Sequence, residues 1–261
     1  MVAGLDIADQ GRNQSVFTPR QGPVVWEPTC WQGLDPTETA HRAADLAEEL
    51  RVQTVFYDSI GVGAGTKSTW ASWIHPGEDP DLLREQGGRK LTFATVPVNT
   101  GSAPSDLVWP DDLTSREKFH NLRAELWWIV RDRFRKAYEF KIKGTRHPAE
   151  EMISIPMNPQ LIGQLSLPKI MRRDNGKLQL ESKDKMRERG IQSPDLADSL
   201  ITSFMPSNES VYATARKNES LVDQRPRDLF VSDYGPAGYN RRNIYAADEE
   251  LEADEPSLGE W

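Results

Sequence analysis

Asp6 closes the short apolar run "MVAGLDIA", Asp58 closes "RVQTVFYDS", and Asp195 and Asp198 lie three apart in "SPDLADSLITSF", a spacing that puts both on one face of a helix. If the two runs are neighbouring strands, Asp6 and Asp58 share a sheet edge, and a helix packed on that sheet delivers a third carboxylate to them. Carboxylates gathered in this way repel, and burying them uncompensated is costly, so a cation is the physical reason for such a cluster. Oxygen ligands alone select Mg2+ or Mn2+ rather than zinc. Each residue also has a plainer reading. An aspartate at a strand end forms turns, and Asp195 in a first helical turn complements the helix dipole. Asp198 lies beyond the cap positions among Leu196, Ala197, Leu200 and Ile201, where it could be a satisfied core carboxylate.

The stretch "FYDSIGVGAGTKS" offers a second chemistry. Gly61, Lys67 and Ser68 match G-x-x-x-x-G-K-[ST] at three of its four fixed positions, the pattern of a phosphate-cradling loop. Thr66 occupies the fourth, where the backbone must wrap the phosphates in conformations a β-carbon resists. The later apolar run "LTFATVPV" ends in Asn99 and Thr100 rather than in the acid that would hold Mg2+. The reading that survives makes Asp58 the functional residue and the glycines a turn.

The elements that must position these residues are legible. "MVAGLDIA", "QSVFTP" and "GPVVWEP" read as short strands in an antiparallel meander joined by turn-rich stretches. "DPTETAHRAADLAEEL" is an amphipathic helix with acidic and capping residues at its start, and "RVQTVFYDS" is the return strand after that crossover. A second helix is expected from Gly61 to about Ile74, a surface excursion over "HPGEDPDLLREQGGRK", and a buried strand over "LTFATVPV". Thr114 or Ser115 caps a long helix through "REKFHNLRAELWWIVRDRFRKAYE", with Phe119, Leu122, Leu126, Ile129, Val130 and Phe134 on one side. Asn175-Gly176 marks a hairpin, and Ser193 with Pro194 starts the last helix. After Met205 the chain is polar and closes on "DEELEADEPSLGEW", which reads as a flexible acidic tail.

With one cysteine, Cys30, expected as a small core residue, the chain forms no internal disulfide and offers too few thiols for a zinc or iron–sulfur site. No run of about eighteen apolar residues is present, so no membrane span is expected. His41, His75, His120 and His147 show no metal-ligand spacing. The net charge of -8 argues against a general nucleic-acid binder unless the charge is uneven. It is uneven: residues 116–146 carry ten Lys/Arg against four acids, and residues 169–189 carry eight against four.

"GLDIADQGRNQSV", "YDSIGVGAG", "NLRAELWW" and above all "LESKDKMRERGIQSPDLADSL" resemble the nuclease domain of the large terminase subunit of tailed bacteriophages, in that family's order and over about residues 1 to 205. The resemblance implies an α/β, RNase H-like fold, with a mixed five-stranded sheet flanked by helices and a two-metal site that cuts double-stranded DNA. Carried across residue by residue, it makes Asp6, Asp58 and Asp198 catalytic metal ligands for two divalent cations, Mg2+ or Mn2+, with Asp195 as an additional ligand. Asp6 is the expected bridging ligand, and no side-chain nucleophile is needed. Lys183, Lys185, Arg187, Arg189, Arg172 and Arg173 are the expected DNA contacts, sequence-independent and salt-sensitive. Family members carry an ATPase motor ahead of the nuclease, and no phosphate loop here supplies one. The implied partners are therefore a packaging ATPase domain outside this chain, the portal protein and the small terminase subunit, in the cytoplasm of the infected bacterial host. The domain division is 1–205 for the nuclease and 206–261 for the acidic tail, a linker, shield or docking segment. The rivals are an RNase H-like resolvase or transposase core, an actin-like ATPase or sugar kinase, and an assembly module whose carboxylates are structural.

Overall fold

A computed structural model of the chain describes residues 1–10, 13–73 and 89–206. Most of the expected excursion at 75–90 and nearly all of the acidic segment from 206 onward lie outside the described residues. Strands β1 (Val2–Asp6), β2 (Ser15–Gln21), β3 (Val24–Val25), β5 (Thr54–Asp58) and β6 (Ala94–Val98) form a sheet in the order β3-β2-β1-β5-β6, with the short β4 (Thr29–Trp31) paired to β2. The sheet thus has six strands, one more than the resemblance implied. The β1–β2 pair is antiparallel, as a meander requires, whereas β1–β5 and β5–β6 are parallel. Helix α1 (Pro36–Glu49) makes the crossover to β5. Its start is fixed by a reciprocal cap: Asp35 accepts from the backbone N–H groups of Thr37 and Glu38, and Glu38 accepts from the Asp35 N–H.

Side-chain alternation along the strands divides the core into two layers. Ala3, Leu5, Val55 and Tyr57 face α1 and α2 (Gly63–Ala71), where Trp70 is fully buried. Phe56, Val16 and Val98 face the opposite way, toward α4 (Leu122–Lys143) and α7 (Asp195–Thr202). Alternation then assigns Gly4, Asp6 and Asp58 to this second face, the one that α7 covers. Outside the sheet lie α3 (Ser115–Lys118), α5 (Pro159–Ser166), α6 (Lys183–Glu188) and a hairpin of β7 (Ile170–Arg172) and β8 (Leu178–Leu180), whose turn uses Gly176 at φ +78°.

Four sequence expectations are corrected here. The long helix expected from Thr114 is broken at residues 119–121 into α3 and α4, because Phe119 bridges to Leu178 of the hairpin and the His120 N–H bonds Leu178 O. Asn121 then caps α4 at Ala124, while the N–H groups of Leu122 and Arg123 are taken by Ser102 O and Thr100 O. Cys30 is exposed, because β4 is a short strand paired on one side only, to β2. Ser193 does not cap α7. Pro194 stands at the cap position, and Ser193 bonds Asp195 instead. Finally, β6 begins at Ala94, leaving Leu91 and Phe93 as core residues outside the strand. Among the described residues no helix is long and apolar enough to cross a membrane.

Candidate metal centre

The register Leu5–Tyr57 between the parallel strands β1 and β5 sets Asp6 beside Asp58 at one sheet edge. Helix α7 crosses this face over Gly4, where an added Cβ would stand 2.0 Å from Ser199 O and 2.7 Å from Ser203 N. Only glycine permits that approach. Ser199 fixes the crossing from the other side: its buried Oγ lies 2.8 Å from Thr18 Oγ1, 2.9 Å from Gly4 O and 3.0 Å from Val16 O, and its single hydrogen serves one of them at a time. With Ser199 turned to the sheet, its neighbour Asp198 turns to the strand ends. Asp6, Asp58 and Asp198 line one pocket of about 290 Å³, together with Arg123, Lys183, Asn121 and Thr100.

Lys183 is the counter-ion of this pocket. Its Nζ lies 2.9 Å from Asp198 Oδ2, and its charge acts on Asp6, Asp58, Asp195 and Asp198 alike. The carboxylates in return hold the ammonium up at about 12, although burial alone would lower it. Arg123 donates from Nη2 to Asp198 Oδ1 at 3.4 Å and from Nη1 to Glu181 O at 3.2 Å. Burial pushes Asp198 upward, but Arg123 and then Lys183 hold it below its ordinary range. Asp6 has no such pair of partners. Burial drives its carboxyl well up, Lys183 opposes, and Asp198, Asp195 and Asp58 push it further up.

Among the described residues no three Asp, Glu, His or Cys side chains stand close enough to chelate one ion as they are. The donor set nevertheless fits a divalent cation, because three carboxylates line one pocket and the Lys183 ammonium, paired with Asp198, already brings positive charge among them. A metal ion and that ammonium would therefore compete for Asp198. Lys183→Met should raise Mn2+ affinity roughly tenfold in calorimetric titration; an unchanged or weaker affinity would refute the counter-ion role. Asp6 gives a complementary expectation. A carboxyl raised in the folded state contributes stability present at acid pH and lost as pH rises through its folded-state pKa. Asp6→Asn should therefore raise the melting temperature in EDTA at pH 7 by about 2–4 °C, and a lower melting temperature would contradict this.

Of the other expected site residues, Asp195 is buried but is not among the residues lining the pocket; Ser193 and the Gln14 backbone bond its carboxylate. Lys185, Arg172 and Arg173 are exposed, Arg173 touching His120. Arg187 pairs with Asp184, and Arg189 pairs with the buried Glu181. Arg123, Asn121 and Thr100 were not among the expected site residues. The signal for Asn121 and Arg123 lay in "NLRAELWW", where Asn121 is the helix cap and Arg123 falls in the first turn.

The glycines of "GVGAG" serve a turn at Gly61 and close packing at Gly63 and Gly65. Gly61 takes φ +62°, and a Cβ on Gly63 would stand 1.8 Å from Asp58 O. Lys67 and Ser68 lie exposed on α2, and the Thr66 hydroxyl bonds Pro36 O, so no phosphate cradle forms.

No family model and no curated protein matches the chain. Solved structures do. A point variant of the nuclease domain of the large terminase subunit gp2 of bacterial virus Sf6, with manganese and β-thujaplicinol, superposes at a TM-score of 0.66, with 24% identity over 79% of this chain and 88% of that one. The chain has the fold of a terminase nuclease domain. The nuclease domain of the large terminase subunit gp2 of bacterial virus Sf6 itself gives a TM-score of 0.65, and the variant with calcium gives 0.64, each at 24% identity and the same coverage. The likeness to these terminase nuclease domains establishes the RNase H-like fold: a mixed sheet with helices on both faces.

Proposed function

We propose that residues 1–205 form a metal-dependent endonuclease that cuts concatemeric viral double-stranded DNA during genome packaging. The observation that carries this reading is the convergence of Asp6, Asp58 and Asp198, from two strand ends and a helix, on one pocket around a single ammonium. The Sf6 nuclease domain described with manganese and with calcium supports a divalent cation as the natural replacement for that ammonium. Asp6, Asp58 and Asp198 would hold two cations, Mg2+ or Mn2+, with Asp195 as a further ligand. Such ions would supply an activated water and charge stabilisation for the departing oxygen. The chain's own residues do the rest. Gly4 and Ser199 hold α7 at the strand ends, and Lys183 gives up Asp198. Lys185, Arg172, Arg173, Arg187 and Arg189 meet the DNA backbone, the last two after exchanging their carboxylate partners.

In this reading the packaging ATPase, the portal protein and the small terminase subunit are the partners, residues 206–261 are an acidic docking segment, and the site of action is the cytoplasm of the infected bacterium. The test is cleavage of supercoiled plasmid by the full chain with Mg2+ or Mn2+ against EDTA, beside linear duplex and four-way junctions. Cutting of plasmid and linear duplex only with the cation is the expected result. Preference for junctions would point to a resolvase, and no cutting with any divalent ion would defeat the proposal.

A further inference from the structure

We infer that Arg123 is the phosphate ligand of the pocket, the group that meets the non-bridging oxygens of the phosphodiester being cut; this rests on the nuclease reading above. Arg123 and Lys183 are the only cationic side chains among the residues lining the pocket, and they are held differently. Lys183, two-fifths exposed on a flexible stem, sits tightly on Asp198 and stands where a divalent ion must go. It is the one to leave. Arg123 is only 15% exposed, and its contact with Asp198 is long, at 3.4 Å.

Its other contact is to a neutral acceptor, the Glu181 carbonyl, while the Glu181 carboxylate is already matched by Arg189. The position of Arg123 does not depend on Asp198. Its backbone N–H is tied to Thr100 O at 2.8 Å, and Asn121 caps the helix two residues before it. If divalent cations took Asp198, charge repulsion would weaken the long 3.4 Å contact and leave a largely enclosed guanidinium without its anion. A cation drawn out of water favours an anionic partner, and a phosphodiester is the anion this pocket would admit. A planar guanidinium matches two phosphate oxygens in parallel, which an ammonium cannot do. In the reaction a water oxygen bonds phosphorus and gives up a proton to solvent, and the bond to the departing sugar oxygen breaks with its electron pair on that oxygen, which takes a proton from solvent. Arg123 remains protonated throughout and acts only on the charge of the phosphoryl oxygens.

The test uses the full chain. At saturating Mn2+, Arg123→Ala should cut plasmid roughly 30- to 100-fold more slowly than wild type, with Mn2+ affinity by calorimetry equal to wild type or tighter. Added guanidinium ion should restore part of the lost rate. Arg123→Lys keeps a cation in place and decides the matter if the alanine variant does not fold: it should bind Mn2+ normally and lose about tenfold in kcat. A folded variant that binds Mn2+ and cuts within about threefold of wild type would overturn the assignment. So would a loss of cutting that merely follows a loss of Mn2+ binding, since Arg123 would then act through Asp198. If wild type itself does not cut, the nuclease reading has failed and the inference with it; if it does, the variants judge Arg123 alone.

Discussion

Asp58→Asn should reduce metal-dependent plasmid cleavage by about a thousandfold, or about 4 kcal/mol of transition-state stabilisation, and leave the fold intact. The two halves of this expectation rest on different contacts. In the folded chain Asp58 makes one local bond, accepting from the Ile60 N–H at 3.1 Å, and the asparagine oxygen can accept the same bond. Burial already pushes the Asp58 carboxyl upward, so a neutral amide removes an unfavourable charge rather than a structural one. What is lost is an anionic ligand facing Asp6 and Asp198. Plasmid cleavage in Mn2+, read beside the melting curve, separates the outcomes. A folded variant that still cuts within about tenfold of wild type would remove Asp58 from the site. Asp198→Ala is the poorer probe, because it strands Arg123 and Lys183 together and would disturb stability and chemistry at once.

Gly4→Ala should destabilise the domain by about 3 kcal/mol or more and lower its melting temperature by roughly 6–12 °C. The added methyl would meet the Ser199 carbonyl at 2.0 Å and the Ser203 nitrogen at 2.7 Å. Both are backbone atoms, so no rotamer change relieves the contact. Helix α7 must then lift from β1, which breaks the Ser199 bonds to the sheet and carries Asp198 away from Asp6. Divalent-ion affinity should fall with stability in this variant, whereas in Asp58→Asn only the former should fall. A Gly4→Ala protein melting within about 2 °C of wild type would show that α7 can seat elsewhere.

These two residues also show what the sequence conveys and what it hides. Asp6, Asp58 and Asp198 could be singled out because strand-end and helical positions are written in hydrophobic periodicity, and the parallel β1–β5 pair follows from the intervening helix. Gly4 could not: a glycine inside a strand names a close approach without naming what approaches. Lys183 was legible as a basic residue leading into the site helix, yet its seat on Asp198 depends on how α6 folds back, which no local pattern encodes. Arg123 was hidden for a related reason. The apolar stripe runs unbroken through residues 119–134, so the break that turns Asn121 into a cap exists only because the hairpin pairs with residues 119 and 120. Cys30 was misread from residue type alone, because a short strand paired on one side offers it little cover.

Helix α7 has one more consequence, for the order of events during synthesis. The ribosome delivers Asp198 almost two hundred residues after Asp6, and the face over Gly4 stays uncovered until α7 follows. A chain that stops before α7 therefore lacks Asp198 beside Asp6 and Asp58, and under the proposed function it would gain the power to cut only when the domain is nearly finished.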